Sequence, residues 1–166
     1  MRTKKEYFFC SERILAHVSE THEIDECISA IDWMDNFSLT TEAGTFAHQS
    51  AYNKALEKQF LSRGWDSQPL LCKDPKLIGD FMKNDVFVEV QFGNSSTLYR
   101  DYYKFHYGLM HGLLSLAVLV VPVDPRRFFP TRPESVSNMA VFDLAYKCYK
   151  LLPIPVPILL VGLIPE

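Results

Sequence analysis

The sequence predicts an α/β domain in which a mixed central sheet is flanked by helices, in the order α-α-β-β-β-α-β-α-β. Three observations lead there. Two stretches before residue 64 carry apolar residues at helical spacing; the stretch that follows breaks into short segments divided by turn signals; and residues 116–123 are apolar at nearly every position. With 166 residues, 48% hydrophobic and 13% aromatic, the chain is long enough for one packed domain over 1–166. The same composition excludes a disordered, collagen-like or coiled-coil chain.

Each element has its own signature. Ile24, Cys27, Ile28 and Ile31 repeat with Glu23, Asp25, Glu26 and Asp32 between them, which predicts an amphipathic helix to about Met34 with an acidic outer face. Tyr52, Leu56 and Phe60 mark a second helix from about Thr41, with Arg63 in its last turn and Gly64 as a left-handed stop. Both helices are thus expected to precede any strand. Residues 69–72, 77–82 and 86–92, divided by Asp74-Pro75 and Asn84-Asp85, read as a three-stranded antiparallel meander. Leu98, Tyr102, Phe105 and Leu109 then repeat at helical spacing to about Met110, and Ser95 or Ser96 can cap the start. The apolar run 116–123 is a strand covered on both faces. A Pro- and Arg-rich loop at 124–133 leads to a helix at about 138–151, with Phe142, Ala145 and Tyr149 inward, and a last strand near 156–163.

Charge and cysteine usage narrow the function classes. The formal charge is −3, yet residues 1–90 hold 10 basic and 15 acidic groups while 91–166 hold 7 and 5, so the basic potential lies in the second half. The longest apolar runs, 113–123 and 151–165, are shorter than the roughly 18 residues of a membrane span, and the second contains four prolines. No signal-peptide pattern opens the chain, so a cytoplasmic location and no membrane partner are expected. Cys10, Cys27, Cys72 and Cys148 lack the close pairing of zinc sites, which favours buried free thiols over a disulfide or metal role. His17, His22, His48, His106 and His111 show no HExxH spacing, and no Gly-rich phosphate loop or nucleophile elbow occurs. Zinc-hydrolase, kinase, dinucleotide-binding and serine-hydrolase readings are left without support.

The informative stretch runs from Gly79 to Asn94. If Asn84-Asp85 forms a two-residue hairpin turn, Lys83 faces Val86, Met82 faces Phe87, and Asp80 faces Glu89. Directly opposed residues have Cβ atoms roughly 4.5–5.5 Å apart, close enough for two carboxylates to share a divalent cation. Alternation puts Gln91 on the face of Glu89 and turns Val86, Val88, Val90 and Phe92 to the core. Without a cation the two carboxylates repel and raise each other's pKa. Mg²⁺ would remove that cost, with Asp80, Glu89 and the Val90 carbonyl as its oxygen ligands. Gln91 can orient an attacking water but, being neutral, cannot serve as its base.

The Asp-x8-Glu-x-Gln spacing on a hairpin after helices resembles the PD-(D/E)XK nuclease core. More narrowly, GDFMKNDVFVEVQFGN with YRDYYKFHYGL and AVLVVPV resembles the BglII-type restriction endonucleases, which carry glutamine in place of the motif's lysine, as Gln91 does here. The resemblance is best over about residues 74–123 and implies a restriction-endonuclease-like fold. It also implies a Mg²⁺-dependent endonuclease of double-stranded DNA, usually a homodimer, with Asp80 and Glu89 as metal ligands and Gln91 near the water. Gly79 stands where the generic motif has proline. Glu23 or Glu26 is a candidate for the acidic helix residue that the wider superfamily sometimes adds.

Around this centre lie candidate DNA contacts. Arg100, Lys104 and His111 fall on one helical stripe, either a phosphate-tracking face or a solvated one. Asn94, Ser95 and Ser96, at the passage into that helix, can cap it, grip a phosphate or reach base edges. Arg126, Arg127 and Arg132, with Phe128 and Phe129, read as a surface loop in preference to a DNA-contacting arm or dimer contact. Two competing readings remain at this point. One is a nuclease of the same fold in repair or defence without strict specificity; the other is a non-catalytic dimeric interaction module.

Overall fold

A strand opens the chain, ahead of any helix. In the computed structural model, which describes every residue except 10, 32–37, 43, 48, 132–135 and 166, β1 (Arg2–Phe8) is followed by α1 (Ser11–Leu15) and α2 (Glu20–Ser29). A hairpin of β2 (Ser38–Thr41) and β3 (Gly44–Ala47) leads into α3 (Gln49–Ser62). Five short strands come next: β4 (Asp66–Ser67), β5 (Leu70–Cys72), β6 (Leu77–Ile78), β7 (Phe81–Lys83) and β8 (Val86–Val90). The chain closes through α4 (Thr97–Met110), β9 (Leu116–Pro122), α5 (Pro125–Phe128), α6 (Phe142–Leu151) and β10 (Ile158–Ile164). Cys10, His48, Arg132 and the expected helix end at Met34 lie outside the described residues.

Six strands form the main sheet in the order β1-β10-β9-β8-β7-β4. The central strands β8, β9 and β10 run parallel, and β1, β7 and β4 join antiparallel at the flanks, so the sheet is mixed as expected. Every residue of β9 is buried. Alternation sends Leu116, Val118 and Val120 to one face, where Ile24, Ile28, Leu56 and Phe60 of α2 and α3 cover them. Ala117, Leu119 and Val121 go to the other, under Leu98 and Phe105 of α4 and Phe142 and Ala145 of α6. Aromatic rings fill the first layer: Phe60 stacks on Phe81 at 4.2 Å between centroids, and the Tyr52 hydroxyl donates to the Phe128 carbonyl at 2.9 Å.

Several sequence expectations need correction. β1 was not expected, because RTKKEYF has no apolar alternation; its backbone pairs with β10 from Arg2↔Ile164 to Phe8↔Ile158, and pairing alone makes it a strand. The second helix starts at Gln49 and not near Thr41, because Ser38–Thr41 and Gly44–Ala47 pair as the strands β2 and β3. Gly64 does sit at φ 76°, the left-handed stop its position predicts. The meander is divided: β5 and β6 form a separate two-stranded ribbon, the 77–82 segment breaks at Gly79-Asp80, and β4 takes the edge beside β7. The helix expected from about residue 138 begins at Phe142. Phe128 and Phe129 are buried against Tyr52 and Phe92, so these rings supply core and no projecting arm.

Candidate active site

The break at Gly79-Asp80 places the first carboxylate. A Cβ on Gly79 would lie 2.1 Å from Cε2 and 2.3 Å from Cζ of the buried Phe87 ring, so any larger residue there must displace that ring. This accounts for glycine at the position before Asp80. The hairpin pairs Lys83 with Val86 and Met82 with Phe87, the register the turn predicts, and continues to Phe81↔Val88. Asp80 stands beyond the last pair, and its carboxylate takes over the role of a ladder carbonyl: Oδ2 accepts the Val90 N–H at 2.7 Å. On a strand the N–H and C=O of one residue share an edge, so the Val90 carbonyl lies on the Asp80 side of β8.

Glu89 is fixed by alternation. Val86, Val88 and Val90 belong to the α2–α3 layer, which turns Glu89 to the α4 face opposite Leu119 of β9. There it is 2% exposed, with Oε1 2.8 Å from Nζ of Lys104. The Lys104 ammonium is also 3.1 Å from Asp101 Oδ1, and Asp101 Oδ2 accepts from Gln91 Nε2 at 2.8 Å. Gln91 Oε1 in turn accepts the Gly93 N–H at 2.8 Å, which holds the amide at both ends. Asp80, Glu89, Val90, Gln91, Arg100 and Lys104 all line one open cleft of about 340 Å³, which Asn53 of α3 and Gln68 complete.

Burial and charge act together on these groups. Burial pushes the Asp80 carboxyl up, against the lowering effect of the Val90 N–H and Lys104. Glu89 is pushed well above the ordinary carboxylate range, first by burial and then by Asp80 and Asp101, with Lys104 opposing. Burial alone would lower Lys104, but Glu89 and Asp101 outweigh it and raise its pKa. The Lys104 ammonium, 2.8 Å from Glu89 Oε1, is the group that opposes the rise at Glu89. Two carboxylates and a backbone carbonyl on one cleft suit Mg²⁺, which takes few protein oxygens and keeps waters. Among the described residues no group of three or more His, Cys, Asp or Glu is placed to hold a metal ion by itself, so the backbone carbonyl and waters would have to complete the set.

The remaining sequence candidates fall elsewhere. Glu23 accepts from Lys83 Nζ at 2.7 Å and from Trp65 Nε1 at 2.8 Å, and Glu26 pairs with Arg63 at 3.4 Å; neither lines the cleft. Glu23 anchors the β7–β8 hairpin to α2. Lys104 does not lie on a solvated stripe with Arg100 and His111: it is 5% exposed and belongs to the buried face of α4, while Arg100 is exposed at the cleft. Asn94, not a serine side chain, organises the entry to α4, its Oδ1 accepting the Ser96 N–H at 2.9 Å. Ser95 N–H donates to the Asn138 carbonyl at 2.7 Å. Arg126 pairs with Asp124 at 3.0 Å, and Arg127 donates to the Pro165 carbonyl. Sequence reasoning missed Asp101 in the site, and also Asn53 and Gln68. The signal for Asp101 was available: Leu98, Asp101, Phe105 and Gly108 share one inward stripe at spacings of three and four.

Comparison with known proteins adds kinship. A sequence model of the family described as restriction endonuclease BglII/BglIII matches residues 4–163. Among solved structures, the chain is similar to restriction endonuclease BglII complexed with a DNA 16-mer, at 18% identity and a TM-score of 0.77, covering 100% of this chain and 79% of that one. It is also similar to free BglII, at 20% identity and a TM-score of 0.68, covering 100% of this chain and 81% of that one. No match was found among curated proteins. The structural likeness carries the fold and the near-complete family match carries the kinship: the chain belongs to the BglII/BglIII restriction endonuclease family and is by that membership a type II site-specific deoxyribonuclease.

Proposed function

We propose that residues 1–166 act as a single Mg²⁺-dependent nuclease domain that cuts double-stranded DNA, as a homodimer in the cytoplasm. One observation carries the metal reading: Asp80 and Glu89, from opposite sides of one hairpin, line the same cleft, and Asp80 is pinned to the Val90 N–H. Asp80, Glu89 and the Val90 carbonyl would hold Mg²⁺. When bound, the ion lowers the pKa of a water and offsets the charge that builds on the phosphodiester.

The chain's own groups do the rest. Gln91, with its amide held by Asp101 and Gly93, fixes the position of the attacking water and takes no proton from it. Arg100, exposed at the cleft, meets the DNA phosphate, and the segment Asn94-Ser95-Ser96 at the start of α4 follows the backbone or base edges.

The test is digestion of plasmid DNA by the purified protein with Mg²⁺, and with EDTA in parallel. Discrete fragments that vanish in EDTA are the expected result. A smear would point to a nuclease without strict specificity, and intact plasmid across a range of salts and metals would overturn the nuclease reading.

A further inference from the structure

Three carboxylates, Asp80, Glu89 and Asp101, meet at one cleft, and the buried ammonium among them is Lys104. Its Nζ lies 2.8 Å from Glu89 Oε1 and 3.1 Å from Asp101 Oδ1, on a side chain that the inner stripe of α4 carries into the site. A buried carboxylate stays ionised only where a cation faces it, and Lys104 is the cation the structure sets against Glu89. The two contacts of Lys104 differ. Asp101 is already committed on its other oxygen to the Gln91 amide, whereas Glu89 lines the cleft beside Asp80, the other carboxylate read as a metal ligand. The Glu89 contact is therefore the one that can be exchanged for a metal–oxygen bond while Lys104 stays anchored.

Resting on the reading of Asp80 and Glu89 as metal ligands, we propose that Lys104 is a positioning residue that stands in for the divalent cation. In the metal-free protein it holds Glu89 in place. With a cation bound it gives up Glu89 and remains on Asp101, which in turn keeps hold of the Gln91 amide. Lys104 and the cation then compete for one carboxylate, and each makes the other less necessary to the fold.

The test compares the wild type with Lys104→Met, which keeps the length of the side chain and removes its charge. Thermal unfolding is followed in EDTA and in saturating Mg²⁺, and Mn²⁺ binding is titrated directly. Lys104→Met should melt lower than the wild type in EDTA and recover at least half of that deficit with Mg²⁺. It should also bind Mn²⁺ about tenfold more tightly, a factor that Coulomb repulsion between an ammonium and a dication a few ångström apart supplies even in water. In the double variant Lys104→Met/Glu89→Gln the recovery should disappear. A deficit equal with and without Mg²⁺, or a variant that stays unfolded at every cation concentration, overturns the inference. If the wild type cuts DNA with Mg²⁺ while the deficit persists, the inference fails alone. If neither protein responds to Mg²⁺ or Mn²⁺ and the wild type does not cut, the metal-site reading has failed with it.

Discussion

Gly79→Ala probes how the fold positions Asp80. The new methyl carbon would sit 2.1 and 2.3 Å from two ring carbons of Phe87, a fully buried side chain. Phe87 cannot swing away freely, because its ring packs edge-on against Phe105 at 5.9 Å. Overpacking of this kind costs about 1–3 kcal/mol, and reduced freedom of the unfolded chain returns about 0.4–1 kcal/mol, which leaves a net loss near 1–2 kcal/mol. For a chain of this size that is a fall in Tm of roughly 2–8 °C. The strain falls one residue before Asp80, so DNA cleavage should drop together with stability. The assay is a double-mutant cycle of thermal unfolding and cleavage rate on Gly79→Ala, Phe87→Leu and the pair. In the Phe87→Leu background the Gly79→Ala cost should fall below ~1 kcal/mol, the mark of two residues in direct contact. Additive costs, or a Gly79→Ala protein as stable as the wild type, would refute the steric account of this motif glycine.

Other consequences follow from single contacts. Tyr52→Phe removes the hydroxyl that donates to the Phe128 carbonyl at 2.9 Å and should cost about 0.5–1.5 kcal/mol in urea unfolding, with cleavage unchanged. Glu23 is one group whose acid titration should register in stability: burial opposes, but Lys83 and Trp65 outweigh it and lower the pKa. Its contribution is present above the ordinary carboxylate pKa of about 4.3 and is lost as pH falls through the depressed value, so the gap between wild type and Glu23→Gln should be full at pH 7 and close under acid. DNA binding measured in Ca²⁺ should weaken as salt rises, and Arg100→Ala should make the log–log slope shallower by about 1.

What was legible in the sequence was what side-chain pattern decides. The apolar run of β9, the alternation of β8 and the Asn84-Asp85 turn place Asp80, Glu89 and Gln91 on one side of the hairpin, and the structure brings all three to one cleft. The inward residues of α2 and α3 follow their helical spacing. What was not legible rests on distant backbone or on burial of charge. β1 is a polar segment made a strand by β10, some 150 residues away. Lys104 looks like one more surface lysine until Glu89 and Asp101 are placed beside it. Glu23, attractive as an extra acid on the first helix, is taken by Lys83 and Trp65, and only the tertiary packing reveals that.

The assignment at stake is Asp80 with Glu89 as the metal-binding centre of a DNA-cutting site. The measurement that bears on it most directly is single-turnover cleavage of a DNA duplex by Glu89→Gln in Mg²⁺, with folding checked by circular dichroism and DNA binding checked in Ca²⁺. Loss of about three orders of magnitude in rate, comparable to removing a principal electrostatic stabiliser of a transition state, with folding and binding retained, is the predicted result. Cleavage by Glu89→Gln at the wild-type rate would contradict the assignment.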